Sequence, residues 1–279
     1  MRVVFFWGTS PLSWMRYATI ASFRKLNLDW EIELYLYHHQ HVKKYWTDSP
    51  VQDFSEYRGA DYFPLLTDLG VRVIPWELPE ELQDKKHVIG PSHASNFFKW
   101  SWLSENVGVY CDLDILWTSP LTDWLDWVAT YDAALAYTPE YFSIGLLWSG
   151  QQPNPVYKDI LAESYRTFTH TKYQSAGVVA LYRLLQKFDP AYREHPWDKD
   201  LLARYDNAYL FDMDWVYPWR FNQMEEVFNK KHEVIPPMCK GIHWYAGSPI
   251  AQKYNNLITE DTLDQYDNTF THFARRVLG

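Results

Sequence analysis

The sequence predicts an α/β fold: a mainly parallel central sheet flanked by helices. Two observations point there. Residues 1–150 alternate strand-like runs with helix-like segments, the order that builds a parallel sheet covered on both faces. Apolar residues make up 47 % of the 279 residues and charged residues 22 %, enough apolar surface to bury a real core.

The elements follow in chain order. Arg2–Phe6 reads as a buried strand. Leu12–Leu26 fits a helix, with Ser10 as its cap and Pro11 in its first turn. Glu31–Tyr37 (EIELYLY) alternates polar and apolar residues as a half-buried strand does. HHQHVKK follows. Its His38, His39 and His41 lack a helical i,i+4 pair and a carboxylate partner, so they read as an exposed loop rather than a metal site. Tyr62–Leu69 is expected as a short helix, Val71–Ile74 as a strand, Ser92–Ser104 as a helix and Val107–Cys111 as a strand. Ala133–Tyr137 and Ile144–Trp148 give two more strands. Beyond them the pattern is less regular: Pro155–Phe168 and Val178–Phe188 as helices, Tyr209–Phe211 and Glu233–Ile235 as short strands. Thr262–Leu278 has the spacing of an amphipathic closing helix, with Leu263, Tyr266, Phe270, Phe273 and Val277 on one face. Arg275 and Arg276 suit that helix's C-terminus better than a membrane surface. With no repeat, low-complexity tract or long linker, residues 1–279 are expected to form one domain.

Composition excludes several classes. A net charge of −9 and no basic stretch argue against a nucleic-acid reader. No run approaches the length of a membrane span, and MRVVFFWGTSPL lacks the length and cleavage site of a signal peptide. Cys111 and Cys239 make no disulfide framework, and a reduced, cytoplasmic setting is the expectation. Aromatic residues reach 18 %, which suits sugars and bases and equally suits a core. Neither G-x-G-x-x-G nor G-x-x-x-x-G-K-[ST] occurs, so a bound nucleotide would need something else to neutralise its phosphates.

That something is legible in GVYCDLDILW. In an extended segment Val109, Cys111, Leu113 and Ile115 share an apolar face, while Tyr110, Asp112 and Asp114 share the other. Two carboxylates about 4 Å apart repel by about 4 kcal/mol at an effective dielectric of about 20. A shared proton, an intervening Lys or Arg, or a bridging divalent cation would relieve this. Two further Asp-x-Asp pairs exist. Asp198/Asp200 lies in a polar loop; Asp212/Asp214 follows an apolar run and is the serious rival. Asp112/Asp114 is preferred because it ends a strand of the regular half, where α/β sheets bind ligands.

The block SHASNFFKWSWLSENVGVYCDLDILW resembles the central region of GT-A glycosyltransferases with an Asp-x-Asp motif, most nearly the retaining family 32. VVFFWGTSP and ASFRKLNLDWEIELY resemble that family's opening strand, helix and second strand, and GIHWYAGSP its C-terminal His segment. The resemblance implies that Asp112 contacts the donor ribose and helps hold a metal, Mn²⁺ or Mg²⁺, with Asp114 and His243 as ligands. It places Trp7, followed by Gly8, against the nucleotide base, and Asn96 and Lys99 against the donor sugar. Gln174 falls where such enzymes place an amide near the anomeric carbon; Ser248 and Gly247 read either as a hydroxyl and N–H groups for a phosphate or as a simple turn before Pro249. Asn96, Lys99 and Val107 replace the family's usual Asp, Arg and Gly, so the sugar contacts must differ.

The implied activity is transfer of a sugar from a nucleotide-diphosphate donor, UDP in preference to GDP, to a glycan acceptor with retention of configuration. Residues 1–150 would hold the donor and residues 151–279 the acceptor. Two other classes stay open: a metal-dependent nucleotidyltransferase or phosphohydrolase, and a non-catalytic carbohydrate-binding protein.

Overall fold

The structure, a computed structural model, describes residues 1–8, 11–38, 46–49, 57–138, 142–185, 205 and 207–279. Strand β1 (Arg2–Trp7) leads through helix α1 (Trp14–Leu26) to β2 (Glu31–Tyr37) and then β3 (Arg72–Trp76). Helix α2 (Pro91–Glu105) returns the chain to β4 (Gly108–Cys111). There follow β5 (Ile115–Trp117), α3 (Thr122–Val128), β6 (Ala133–Tyr137) and β7 (Phe142–Ser149). The remainder is α4 (Pro155–Thr167), α5 (Val178–Leu185), β8 (Ala208–Asp212), α6 (Met224–Phe228), β9 (Gly241–His243), α7 (Pro249–Asn255) and α8 (Thr269–Leu278).

A seven-stranded sheet has the order β3-β2-β1-β4-β7-β6-β8. All its pairings are parallel except those of β7, which runs against both neighbours. The result is an α/β fold with a mixed, mostly parallel sheet between helical layers, as the GT-A resemblance implies. Strand alternation sorts the core. Val3, Phe5, Val109 and Cys111 pack on the face carrying Phe23 of α1 and Trp124 of α3. Val4, Phe6 and Tyr110 pack on the other, against Phe97 and Phe98 of α2 and Ile160 of α4. A third cluster seats Phe270 and Phe273 of α8 on Trp14, Phe228 and Trp244.

Two features of the topology position the site. From β1 the chain moves outward to β2 and β3, then crosses back to β4 on the other side of β1. The carboxyl ends of β1 and β4 therefore border a crevice where connections diverge, the place where open α/β sheets take ligands. A separate two-stranded sheet pairs β5 with β9 antiparallel and sets Ile115 opposite His243. That register carries a residue from far along the chain to the end of β4.

Several expectations are corrected. Helix α1 begins at Trp14 with Ser13 as its cap; the expected cap Ser10 lies outside the described residues. Leu12 stays outside the helix: its N–H donates to Asp61 Oδ1 (2.8 Å) and its carbonyl accepts from Tyr62 N–H (2.9 Å). The short helix expected over Tyr62–Leu69 is a 3-10 helix at Phe63–Thr67. Glu233–Ile235 forms no strand: Val234 is 81 % exposed, and Pro236 and Pro237 bring no N–H to a ladder. The closing helix is shorter than expected. A 3-10 turn at Leu263–Gln265 precedes α8, whose capping box pairs Asn268 with Thr271. Of the expected helix Val178–Phe188, the last three residues lie outside the described set, as do His39, His41 and Asp198/Asp200. Among the described residues, no helix is long and apolar enough to cross a membrane.

Candidate metal and donor site

Asp112 and Asp114 form a turn between β4 and β5 rather than an unbroken strand. The backbone still delivers both carboxylates to one side. Asp112 N–H donates to Gly145 O (2.8 Å), extending the β4–β7 pairing by a rung, and Leu113 turns into the apolar core. Asp114 O accepts from Trp244 N–H (2.8 Å), which ties the turn to the strand bearing His243.

Each carboxylate is held by one oxygen. Asp112 Oδ1 accepts from Tyr110 Oη (2.6 Å) and from Lys99 Nζ (3.2 Å). Asp112 Oδ2 lies 4.0 Å from His243 Nε2. Asp114 Oδ2 accepts from Ala246 N–H (2.8 Å), while Oδ1 lies 3.1 Å from His243 Nε2. One ligand atom from each of Asp112, Asp114 and His243 thus falls within 4.8 Å of the other two. Tyr245 N–H donates to His243 Nδ1 (3.3 Å), and Nε2 is the nitrogen that faces the carboxylates. The donor set, two carboxylates and an imidazole, can coordinate a divalent cation. Room is kept for it: a Cβ on Gly145 would lie 2.8 Å from Asp112 Oδ2 and 3.2 Å from His243 Nε2.

The electrostatics match this geometry. Burial alone would raise the Asp112 carboxyl, but Lys99, His243 and the Tyr110 hydroxyl outweigh it and hold the group below the ordinary carboxylate range. Burial disfavours a charged His243, yet Asp114 and Asp112 overcome it and lift the ring to about 9. Burial lowers Lys99, opposed mainly by Asp112; its ammonium also donates to Ile144 O (3.1 Å). Tyr110 and Tyr217 are pushed well above the ordinary phenol range, chiefly by burial and then by Asp112.

A pH prediction follows, with its sign fixed by the raised value. In the metal-free protein the His243 contribution to stability is full below the unfolded value of about 6.5 and is lost as pH rises through about 9. The melting-temperature advantage of the wild type over His243→Gln should therefore shrink between those limits. A divalent cation held by the cluster would compete with that proton, so affinity for one should climb over the same range. A flat metal titration from pH 6.5 to 9 would remove His243 from the ligand set.

The cluster opens into a cavity of about 470 Å³. Trp7, Gly8, Asn96, Lys99, Asp112, Asp114, Gln174 and His243, all named from the sequence, line it. Asn96 and Lys99 reach it from one face of α2, three residues apart. Gln174 meets Asn96 across Gly177, where an added Cβ would lie 2.7 Å from Gln174 Oε1 and 2.8 Å from Asn96 Nδ2. Trp7 is nearly buried and carries a guanidinium over its ring. Ser248 is not among the residues that line the cavity; its buried hydroxyl caps α7 by accepting from Ala251 N–H (3.2 Å). Its neighbour Gly247 lines the cavity instead.

The rival pair Asp212/Asp214 is otherwise engaged. Asp212 Oδ1 accepts from Asp214 N–H (2.8 Å), and Asp214 pairs with Arg220 (2.7 Å). His38 is exposed, and Cys111 and Cys239 are buried free thiols.

Sequence reasoning missed Arg16. Its Cζ lies 4.4 Å from the Trp7 ring centroid and 5.6 Å from that of Trp244, and the residue lines the cavity. Burial pulls the guanidinium down to about 10, with Asp114 and Asp112 opposing. The available signal was an arginine on the buried side of an otherwise apolar helix start, WMRYATI. Tyr245 was missed too. It holds a left-handed backbone (φ 44°) and sets its ring edge-on to His243 at 4.3 Å.

No family model matches the chain. A curated relative, glucan organizing enzyme 1 of Cryptococcus neoformans var. grubii, is 22 % identical over 216 residues, covering 74 % of this chain and 54 % of its own length. The chain thus spans about half of that relative. Among solved structures, it is similar to the PaToxG glycosyltransferase (15 % identity, TM-score 0.41, 65 % of this chain and 68 % of that one). It is also similar to galactosyltransferase LgtC in complex with donor and acceptor sugar analogues (14 %, TM-score 0.39, 65 % and 70 %). A third is the bifunctional WbbM (12 %, TM-score 0.43, 92 % and 51 %). At such identities and scores no activity transfers from them to this chain. Fold and site together define an α/β protein with an Asp–Asp–His cluster, able to hold a divalent cation, at the sheet's ligand-binding edge.

Proposed function

We propose that this chain is a metal-dependent GT-A glycosyltransferase related to the retaining family 32. It would move a sugar from a nucleotide-diphosphate donor, UDP before GDP, to a glycan acceptor with retention of configuration. The observation that carries the reading is the convergence of Asp112, Asp114 and His243 inside a cavity at the carboxyl ends of β1 and β4. Mn²⁺ suits the set better than Mg²⁺, because an imidazole joins the two carboxylates. When bound, such an ion supplies Lewis-acid stabilisation to charge developing on the departing diphosphate.

The chain's own residues do the rest. Tyr110 and Lys99 fix one oxygen of Asp112, so the other keeps its aim toward His243 and Asp114. Ala246 N–H does the same for Asp114. Asn96 and Gln174 carry amides that both donate and accept, which suits sugar hydroxyls. Lys99 holds Asp112 and lines the cavity, where its ammonium also has a donor for the sugar. Trp7 and Gly8 border the donor from β1, and residues 151–279 supply the acceptor side of one domain. The name of the fungal relative, which speaks of glucan, fits a glycan acceptor.

The deciding experiment pairs a thermal-shift screen with product analysis. UDP or GDP with Mn²⁺ should raise the melting temperature, and turnover of a nucleotide-sugar should release the nucleoside diphosphate. Release of pyrophosphate or phosphate would point to a nucleotidyltransferase or hydrolase. Glycan binding with no response to nucleotide or metal would leave a lectin-like protein.

A further inference from the structure

With no glycine-rich phosphate loop in the sequence, the charge of a diphosphate must be met by side chains and the metal. Among the described residues that line the cavity, the fixed charges are those of Asp112, Asp114, Lys99 and Arg16. These cancel. A divalent ion on the two carboxylates and a neutral His243 then leaves two positive charges in excess. A nucleotide-diphosphate sugar carries two negative charges on its two phosphates, so the cavity and that donor balance. Without Arg16 the cavity would be one charge short.

The two cations are placed differently. Lys99 directs its ammonium at Asp112 and at Ile144 O, and sits 4.5 Å from the Tyr110 ring centroid. Arg16 is 5 % exposed and wedged between the indole rings of Trp7 and Trp244, one at the end of β1 and the other next to the ligand His243. Aromatic faces hold a guanidinium in place while its rim keeps five donors, enough to bind a phosphate beside any protein acceptor. Trp7 then has a supporting part in the donor site, since its ring carries this cation.

We propose that Arg16 is a diphosphate-binding residue of the donor cavity, held by Trp7 and Trp244, that sets its preference for nucleoside diphosphates over monophosphates. The inference rests on the glycosyltransferase reading and deepens it. The test is calorimetry on the full chain with three probes: Mn²⁺ alone, UMP with Mn²⁺, and UDP with Mn²⁺. Arg16→Gln should weaken UDP binding about 10- to 100-fold, leave UMP within about threefold, and leave Mn²⁺ alone unchanged or slightly tighter. Arg16→Lys keeps the charge and the stem but not the planar fork, and should lose about tenfold on UDP only. Wild-type UDP affinity in either folded variant overturns the proposal. So do parallel losses for UDP and for Mn²⁺ alone, which would mark a merely structural role. Should Arg16→Gln not fold, Arg16→Lys decides alone. A wild type that binds Mn²⁺ but neither UDP nor GDP sinks the glycosyltransferase reading itself, a result distinct from failure at Arg16.

Discussion

Asp114→Ala is expected to abolish sugar transfer and to remove most of the Mn²⁺ affinity while leaving a folded protein. Asp114 offers Oδ1 toward His243 Nε2 at 3.1 Å, and no other described carboxylate joins Asp112 in the cluster. On the proposed function, loss of this carboxylate should cost at least about 10³-fold in kcat/KM, or about 4 kcal/mol. The fold loses less. Ala246 N–H forfeits an acceptor, worth about 1–2 kcal/mol, and removal of one of two facing carboxylates offsets part of that. Asp114→Asn keeps an acceptor for Ala246 and separates the two effects: near-native melting, with Mn²⁺ binding still poor. Isothermal titration and rate measurements check both. Full activity in Asp114→Ala, or in the wild type with excess EDTA, would refute the metal-centred reading.

The second large effect is expected at a residue with no side chain. A Cβ on Gly145 would stand 2.5 Å from Tyr217 Oη, 2.8 Å from Asp112 Oδ2 and 3.2 Å from His243 Nε2. Tyr217 is fully buried and its hydroxyl already accepts from Gly145 N–H (3.0 Å), so it has little room to yield. Gly145→Ala should therefore push Asp112 Oδ2 out of line, weaken Mn²⁺ by about 10- to 100-fold and slow transfer at least as much. Its overpacking cost to the fold should be about 1–3 kcal/mol. Urea unfolding set beside a metal titration distinguishes the two losses. Unaltered Mn²⁺ affinity in this variant would mean that the ion, if bound, does not use that oxygen.

These two residues show what the sequence could and could not reveal. The aspartates were found because a period of two in an apolar run is a local signal, and it placed both carboxylates on one side even though the backbone there turns. Strand β2 was read to the residue for the same reason, and β6 from a short continuous apolar run. Gly145 was invisible, because its role is set by Tyr217, Asp112 and His243 approaching from other segments. Strands β5 and β9, three residues each, are too short to show any period. Their pairing is long-range, so His243 was reached only through the resemblance. The hydroxyl of Ser248 caps a helix, and in sequence such a hydroxyl looks like one that meets a phosphate. Arg16 was passed over because a helix start among tryptophans reads as core.

The β5–β9 ladder has a kinetic corollary. It joins the aspartate turn to a strand made more than a hundred residues later, a contact of high sequence separation whose loop-closure entropy delays its formation. On a nascent chain, the β1–β4 scaffold emerges well before its imidazole partner. Cation capture should thus arise late in biogenesis and report that the distant halves of the chain have met, so spurious ion loading of half-made protein is disfavoured by the order of synthesis itself.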